Sequence, residues 1–207
     1  MGKIIKFAFR ITHIDNIPHI RDCGIVRSDS PRRSPNFVSI GDRSIIDFRS
    51  KSDVKGYRIG NFIPFYFGPR SPMLYVIQHG YNGVARVCPE NIVYCVVRIA
   101  DLIAGDIDCV FTDGHAVSKL TKFYPKERLS DLNNIVRYDD VYSSVWSSEY
   151  DIDLKRRKEA EILLTNDLPP KFICGFVVYN ETARLKLIKA GINPEMIIVN
   201  SNYYFKL

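Results

Sequence analysis

Glu161 is the carboxylate best placed in this sequence for acid–base or electrostatic chemistry. It sits in KRRKEAEILL (155–164), where a basic run turns apolar. A carboxylate at the lip of a buried strand can have a tuned pKa and point into a cleft. The plainer alternative is a solvated glutamate beside basic neighbours, and residue type alone favours it. His13 ends an apolar stretch in FRITHIDN (9–16), where an imidazole could hydrogen-bond a ligand at a strand end. His115, in TDGHA (112–116), is open to the same two readings, ligand contact or ordinary structural histidine. Arginine is the natural fork for a pyrophosphate, being always charged and bidentate. Spacing alone, however, does not select Arg49 over Arg43 or Arg70. The four histidines are scattered, none in an HExxH pattern, so no metal site is expected. Cys23, Cys88, Cys95, Cys109 and Cys174 form no CxxC pair and have no His or Asn partner by sequence. Neither a disulfide framework nor a thiol nucleophile is expected.

Residues 113–150 lack sustained periodicity. They interleave Lys119, Lys122, Lys126, Arg128 and Arg137 with Tyr124, Tyr138, Tyr142 and Trp146. Cations for phosphates and rings for bases make a single-strand nucleic-acid surface. Rings that pin the loop to the core explain the same composition equally well. The whole chain, 207 residues with a net charge of +6, also favours an anionic partner: nucleic acid, a phosphate-bearing cofactor or a membrane surface. Its length suits one domain spanning 1–207, and 46% hydrophobic residues exclude global disorder. The apolar runs, IVYCVV (92–97) among them, are far too short to span a membrane. Residues 2–9 are interrupted by Lys3 and Lys6 and do not read as a signal peptide, so the expected compartment is the cytoplasm.

The elements that must position these residues can be read from local chemistry. Residues 4–10, 62–67, 92–97, 108–112, 172–179 and 196–199 read as strands. Residues 16–23 read as a helix closed by Gly24, and 43–49 as another. Ser71-Pro72 opens a helix that Gly80 ends, and 181–190 is a helix stopped by Gly191. The turn-forming segment RSDSPRRSP (27–35) lies within an irregular stretch, 27–42. Residues 155–164 are ambiguous, helical at the start and strand-like at EILL. There is no regular βαβ alternation, no GxGxxG and no GxxxxGK, which disfavours Rossmann and P-loop folds. An α+β domain with long functional loops fits the pattern.

The segments ITHIDNIPHI (11–20), SIGDRSIIDFRSKSDV (39–54), FIPFYFGPRSPMLY (62–75), VFTDGHAV (110–117) and SSVWSSEYDIDLKRRKEAEILL (143–164) follow a characteristic order and spacing. In both they resemble the DarT family, the DNA ADP-ribosyltransferase toxins of bacterial toxin–antitoxin modules. The resemblance implies the ADP-ribosyltransferase fold, a split mixed β core with short peripheral helices around an NAD⁺ cleft. It implies a toxin that transfers ADP-ribose from NAD⁺ to a base of single-stranded DNA, releasing nicotinamide and blocking replication, with no metal. It also implies a macrodomain antitoxin that removes the modification. The family's catalytic pair falls on Arg49 and Glu161. NAD⁺ contacts fall on Thr12, His13, Ile14, Asp15, Asn16 and Arg49, with Tyr75 expected to line the cleft behind Met73. Residues of about 33–51 match the element that covers NAD⁺, and about 116–160 the loop that reads DNA. Within that loop Lys119, Lys122, Arg128, Tyr142 and Trp146 are the expected DNA contacts. FTDGHA and RSPMLY are more similar to the thymine-modifying branch, whereas PRRSPN (31–36) and YDIDLK (150–155) depart from the family pattern. Guanine, RNA or protein as acceptor, or an inactive nucleic-acid-binding module on the same fold, are the alternatives.

Overall fold

The computed structural model describes residues 2–54, 56–147 and 149–206. Its strands are β1 (Phe7–His13), β2 (Asp53–Val54), β3 (Tyr57–Arg58), β4 (Ile63–Tyr66), β5 (Ile92–Arg98), β6 (Cys109–Thr112), β7 (Phe123–Pro125), β8 (Glu161–Leu164), β9 (Ile173–Val178) and β10 (Ile197–Val199). Its helices are α1 (Ile17–Cys23), α2 (Arg43–Lys51), α3 (Pro72–His79), α4 (Ile99–Ala104), α5 (Leu132–Ile135), α6 (Tyr138–Tyr142), α7 (Leu154–Lys158) and α8 (Glu181–Lys189). Eight strands form one mixed sheet in the order β10-β9-β5-β1-β4-β8-β6-β7, and β2 and β3 form a small hairpin apart from it. Among the described residues, β10 and β9 are the parallel pair.

The sheet is split in the middle. β1 pairs with β5 along its full length, from Phe7↔Arg98 to His13↔Ile92. On its other side it meets β4 at a single pair, Phe9↔Tyr66. Beyond that pair the two halves part, and the opening between them is the cleft described below. Both faces of the sheet are covered, which is why β5 is a continuous apolar run rather than an alternating one. Val93, Cys95 and Val97 face one core with Phe65, Phe111 and Ile162. Ile92, Tyr94 and Val96 face the other with Phe9, Leu74 and Ile77.

Local signals set several elements. Ser71 accepts a hydrogen bond from Leu74 N at the start of α3, Pro72 occupies its first turn, and Gly80 closes it in the left-handed region. Asp42 caps α2 through Ser44 N. Other elements differ from the sequence pattern. β1 continues through His13 because its whole length has a partner in β5. The ambiguous 155–164 segment is helix and then strand, changing at Glu159–Ala160. The stretch 113–150 is not one open loop. It holds β7, a 3₁₀ segment at Lys126–Asp131, α5 and α6. α4 has no counterpart among the elements read from the sequence.

Candidate active site

Glu161 opens β8 opposite Tyr66 of β4 and is fully buried. Its backbone N–H donates to Thr112 Oγ1 at 3.2 Å, so a side chain continues the β6–β8 ladder one step past the last backbone pair, Phe111↔Ile162. One carboxylate oxygen accepts from Ala116 N at 3.0 Å. Both oxygens accept from Arg49, Nη1 to Oε1 and Nη2 to Oε2, each at 3.2 Å. This bidentate geometry is the strongest form of the arginine–carboxylate pair. Burial works against the Arg49 charge, but the charge and hydrogen bonds of Glu161 outweigh it and hold the guanidinium above its ordinary pKa. Tyr66 is pushed well up by burial and then by the negative charge of Glu161, so it stays a neutral phenol.

Two glycines let backbone segments close on this pair. A Cβ on Gly60 would sit 2.4 Å from Ser50 Cα, so only glycine lets residues 59–61 lie against the last turn of α2, which carries Arg49. A Cβ on Gly114 would sit 2.8 Å from the Arg156 carbonyl oxygen. That close approach seats the TDGHA turn on α7, where His115 N donates to the same oxygen, and it delivers the Ala116 amide to Glu161.

A cleft of about 340 Å³ opens where β1 and β4 part. Arg10, Ile11 and Thr12 of β1 form one wall and Ile63, Pro64 and Tyr66 the other. Residues 26–28, Arg33, Phe37 to Asp42, Ile45, Ile46, Arg49 and Ser50 cover it, with Met73 and Ile77 of α3 behind. Arg49 is a wall residue, and Glu161 lies behind it.

The sequence-predicted residues divide accordingly. Arg49, Glu161 and Thr12 come together at the split. Thr12 is buried, and its hydroxyl accepts from Asn16 Nδ2 at 2.9 Å. Asn16 stands at the N-cap position of α1 but makes no side-chain capping bond there. Its amide donates to Val38 O at 2.8 Å and accepts from Val38 N at 2.9 Å, so it pins the covering segment to the end of β1. His13 lies just outside the lining, with Nδ1 accepting from Asp15 N at 3.2 Å. Ile14 packs into the main core and Asp15 is exposed. Tyr75 faces away from the cleft lining, in a ring cluster with His79, Tyr81, Trp146 and Phe205. Tyr142 stacks on Tyr138 at 4.1 Å between centroids. Lys119 and Lys122 are exposed, and Arg128 is exposed but paired with Asp131 at 2.9 Å. Residue type alone did not single out Arg10. It reaches across the split to donate to Pro64 O at 3.1 Å, and burial followed by the like charge of Arg49 lowers its pKa. Its place depends on strand pairing, which spacing along the chain does not encode.

A model of the family described as ssDNA thymidine ADP-ribosyltransferase, DarT, matches residues 9–205. The chain belongs to the DarT family. A DNA ADP-ribosyl transferase of Escherichia coli O127:H6 is 32% identical over 191 residues, covering 86% of this chain and 83% of the relative. A DNA ADP-ribosyl transferase–DNA ADP-ribosyl glycohydrolase fusion protein of Thermosipho africanus is 29% identical, covering 96% of this chain and 49% of the fusion. The DarT of Thermus sp. 2.9, solved in complex with ADP-ribosylated ssDNA, superposes with a TM-score of 0.83 at 25% identity, over 99% of this chain and 100% of that one. The same protein solved with NAD⁺ gives 0.77 over the same shares. The split sheet of this DarT-family chain is thus the ADP-ribosyltransferase core expected from sequence.

Proposed function

We propose that this protein transfers ADP-ribose from NAD⁺ to a base of single-stranded DNA, thymine in particular, and releases nicotinamide. The observation that carries the reading is the buried Arg49–Glu161 pair at the floor of a split-sheet cleft, in a chain whose family match runs from residue 9 to 205. Breaking the nicotinamide–ribose bond leaves the bonding electrons on nicotinamide and an oxocarbenium-like charge on the ribose. A carboxylate beside the ribose stabilises that charge, and it accepts the proton that the base nitrogen loses as it bonds to the anomeric carbon. Glu161 has that role. Arg49 fixes the carboxylate and, lining the cleft, orients the reacting groups. Thr12, His13 and Asn16 hold the dinucleotide side, directly or through the covering segment, and residues 116–160 present the DNA.

One domain over 1–207 accounts for the activity. The DNA ADP-ribosyl glycohydrolase half of the Thermosipho relative supports a neutralising partner of the macrodomain type, and hence a toxin role. Five free cysteines and the absence, among the described residues, of a helix able to cross a membrane support a cytoplasmic site of action. No group of metal-ligating side chains occurs among the described residues, and none of these steps calls for a metal. The test is incubation with NAD⁺ and a randomised single-stranded DNA pool, with RNA and protein pools in parallel, read by mass spectrometry. Labelling of thymine in DNA is expected. Labelling confined to RNA, protein or another base overturns the acceptor assignment, and no labelling overturns the activity.

A further inference from the structure

Lys158 is one of the most completely buried large side chains in the molecule, at 1% exposure. No carboxylate lies within ion-pair distance of it among the described residues, which is unusual for a buried ammonium. Its three N–H donors go instead to backbone carbonyls: Ser143 O at 2.5 Å, Val141 O at 3.2 Å and Pro69 O at 3.5 Å. The carbonyl between the first two, Tyr142 O, accepts from Arg70 Nη2 at 3.2 Å. Two cations therefore hold three consecutive carbonyls at the end of α6. The neighbouring Arg157 ties the two ends of the following loop together. It donates to Asp140 at 2.7 Å on the entry side and to Asp151 and Asp153 on the exit side. Near the exit-side anchors, Tyr150 is 99% and Ile152 94% exposed. Lys158 lies three positions before Glu161, on the helix that runs directly into β8.

We propose that Lys158 is a positioning residue for the acceptor strand. By holding the carbonyls of Pro69, Val141 and Ser143, it sets the root of the 143–152 loop at a fixed distance from Glu161, so that the target base meets the carboxylate. The proposal rests on the ADP-ribosyltransferase reading above. A buried apolar residue of the same volume would fill the space at lower cost, yet it could not hold a carbonyl in place. The methylene stem packs, while the three fixed donors supply direction.

The experiment measures steady-state transfer by wild type and Lys158→Met, varying NAD⁺ and a single-stranded oligonucleotide separately. The expected result is a KM for the oligonucleotide raised about tenfold or more, as when a positioning interaction is removed, with relaxed discrimination between flanking bases. KM for NAD⁺ should stay within about twofold, because the cleft wall does not include Lys158. Lys158→Gln, which retains two of the donors, is the second variant and should fall between the two; it also serves if the Met variant does not fold. Unchanged oligonucleotide kinetics in a folded variant, or a parallel rise of both KM values, overturns the proposal. A wild-type protein that labels no DNA would overturn the activity reading and this inference with it.

Discussion

Arg49 lays its two terminal nitrogens on the two carboxylate oxygens of Glu161, each at 3.2 Å, across 112 positions of sequence. The pair is buried, so either half alone would be an unpaired buried charge costing about 3–5 kcal/mol, whereas an apolar replacement of both is often neutral or stabilising. Arg49→Met and Glu161→Leu should each destabilise the fold by about that amount and abolish DNA labelling, by about 10³-fold or more. The double variant should recover most of the stability and none of the activity. Denaturant unfolding of all three, with labelling of an oligonucleotide from NAD⁺, checks both halves. A double variant less stable than either single would mean that the pair is not a self-contained unit.

Asn16 and Val38 form a second long-range unit. One amide side chain satisfies both the N–H and the C=O of a residue in the covering segment. In Asn16→Ala both Val38 groups lose their partner, at a cost of about 1–3 kcal/mol. The covering segment should then loosen where it forms the cleft roof. Faster hydrogen exchange is expected at Val38 and its neighbours, with NAD⁺ affinity falling by about tenfold for each 1.4 kcal/mol of lost order. Exchange rates equal to wild type would show that other interactions hold the segment.

Local chemistry was readable and long-range chemistry was not. Ser71, Pro72 and Gly80 announce α3 because capping and turn preferences act within a few residues. The same holds for Gly24 at the end of α1, where φ is 80°. Arg49 could not be told from Arg43 or Arg70 by spacing, because its partner is brought up by strand β8 and by the approach of Gly60 to α2. Family resemblance supplied what spacing could not. The helix-to-strand change inside KRRKEAEILL depends on β8 finding neighbours in both β4 and β6. Composition suggested rings for stacking on bases in residues 113–150. Composition cannot distinguish that from rings stacking on one another, as Tyr142 does on Tyr138 and Trp146 does against Tyr75 and Phe205.

The cations of the DNA-reading segment are correspondingly unequal. Lys119 and Lys122 are exposed with no carboxylate in ion-pair range among the described residues. Arg128 pairs with Asp131, and Lys126 with Asp106 and Asp108. Neutralising Lys119 and Lys122 together should reduce the salt dependence of single-strand binding by about 1.4 in log–log slope, about 0.7 for each phosphate whose counter-charge is removed. Arg128→Gln should change it less, and NAD⁺ affinity should hold in both variants. The rings divide in the same way. Trp146→Ala should lower the melting temperature, since it removes packing. Tyr150→Ala, at a side chain 99% exposed, should lower it less and cost about 1–3 kcal/mol of DNA affinity through weaker stacking. Fluorescence anisotropy across a salt series, with thermal melts, separates these outcomes.

Lys158 also gives stability a distinctive pH dependence. Burial, followed by the like charge of Arg70, pushes its pKa down to about 8. In the unfolded chain a lysine titrates near about 10.4. Between these two values the unfolded state holds a proton that the folded state has released, so this group's contribution makes the fold more stable as pH rises through that window. Below about pH 8 the folded protein carries the buried charge, and the cost is present in full, on the order of 3 kcal/mol. Lys158→Met removes the titrating group together with its carbonyl hydrogen bonds; the neutral amine keeps two of the three donors, and that loss is already part of the titration. The stability of wild type minus that of the variant should therefore grow between about pH 8 and 10.4. Cys95 and Cys109, pushed up to about 12 by burial, act in the opposite sense above about pH 9, but they are common to both proteins and cancel in the difference. Urea unfolding of both proteins at half-unit pH steps measures it, and a flat difference would mean that Lys158 keeps its proton throughout the range.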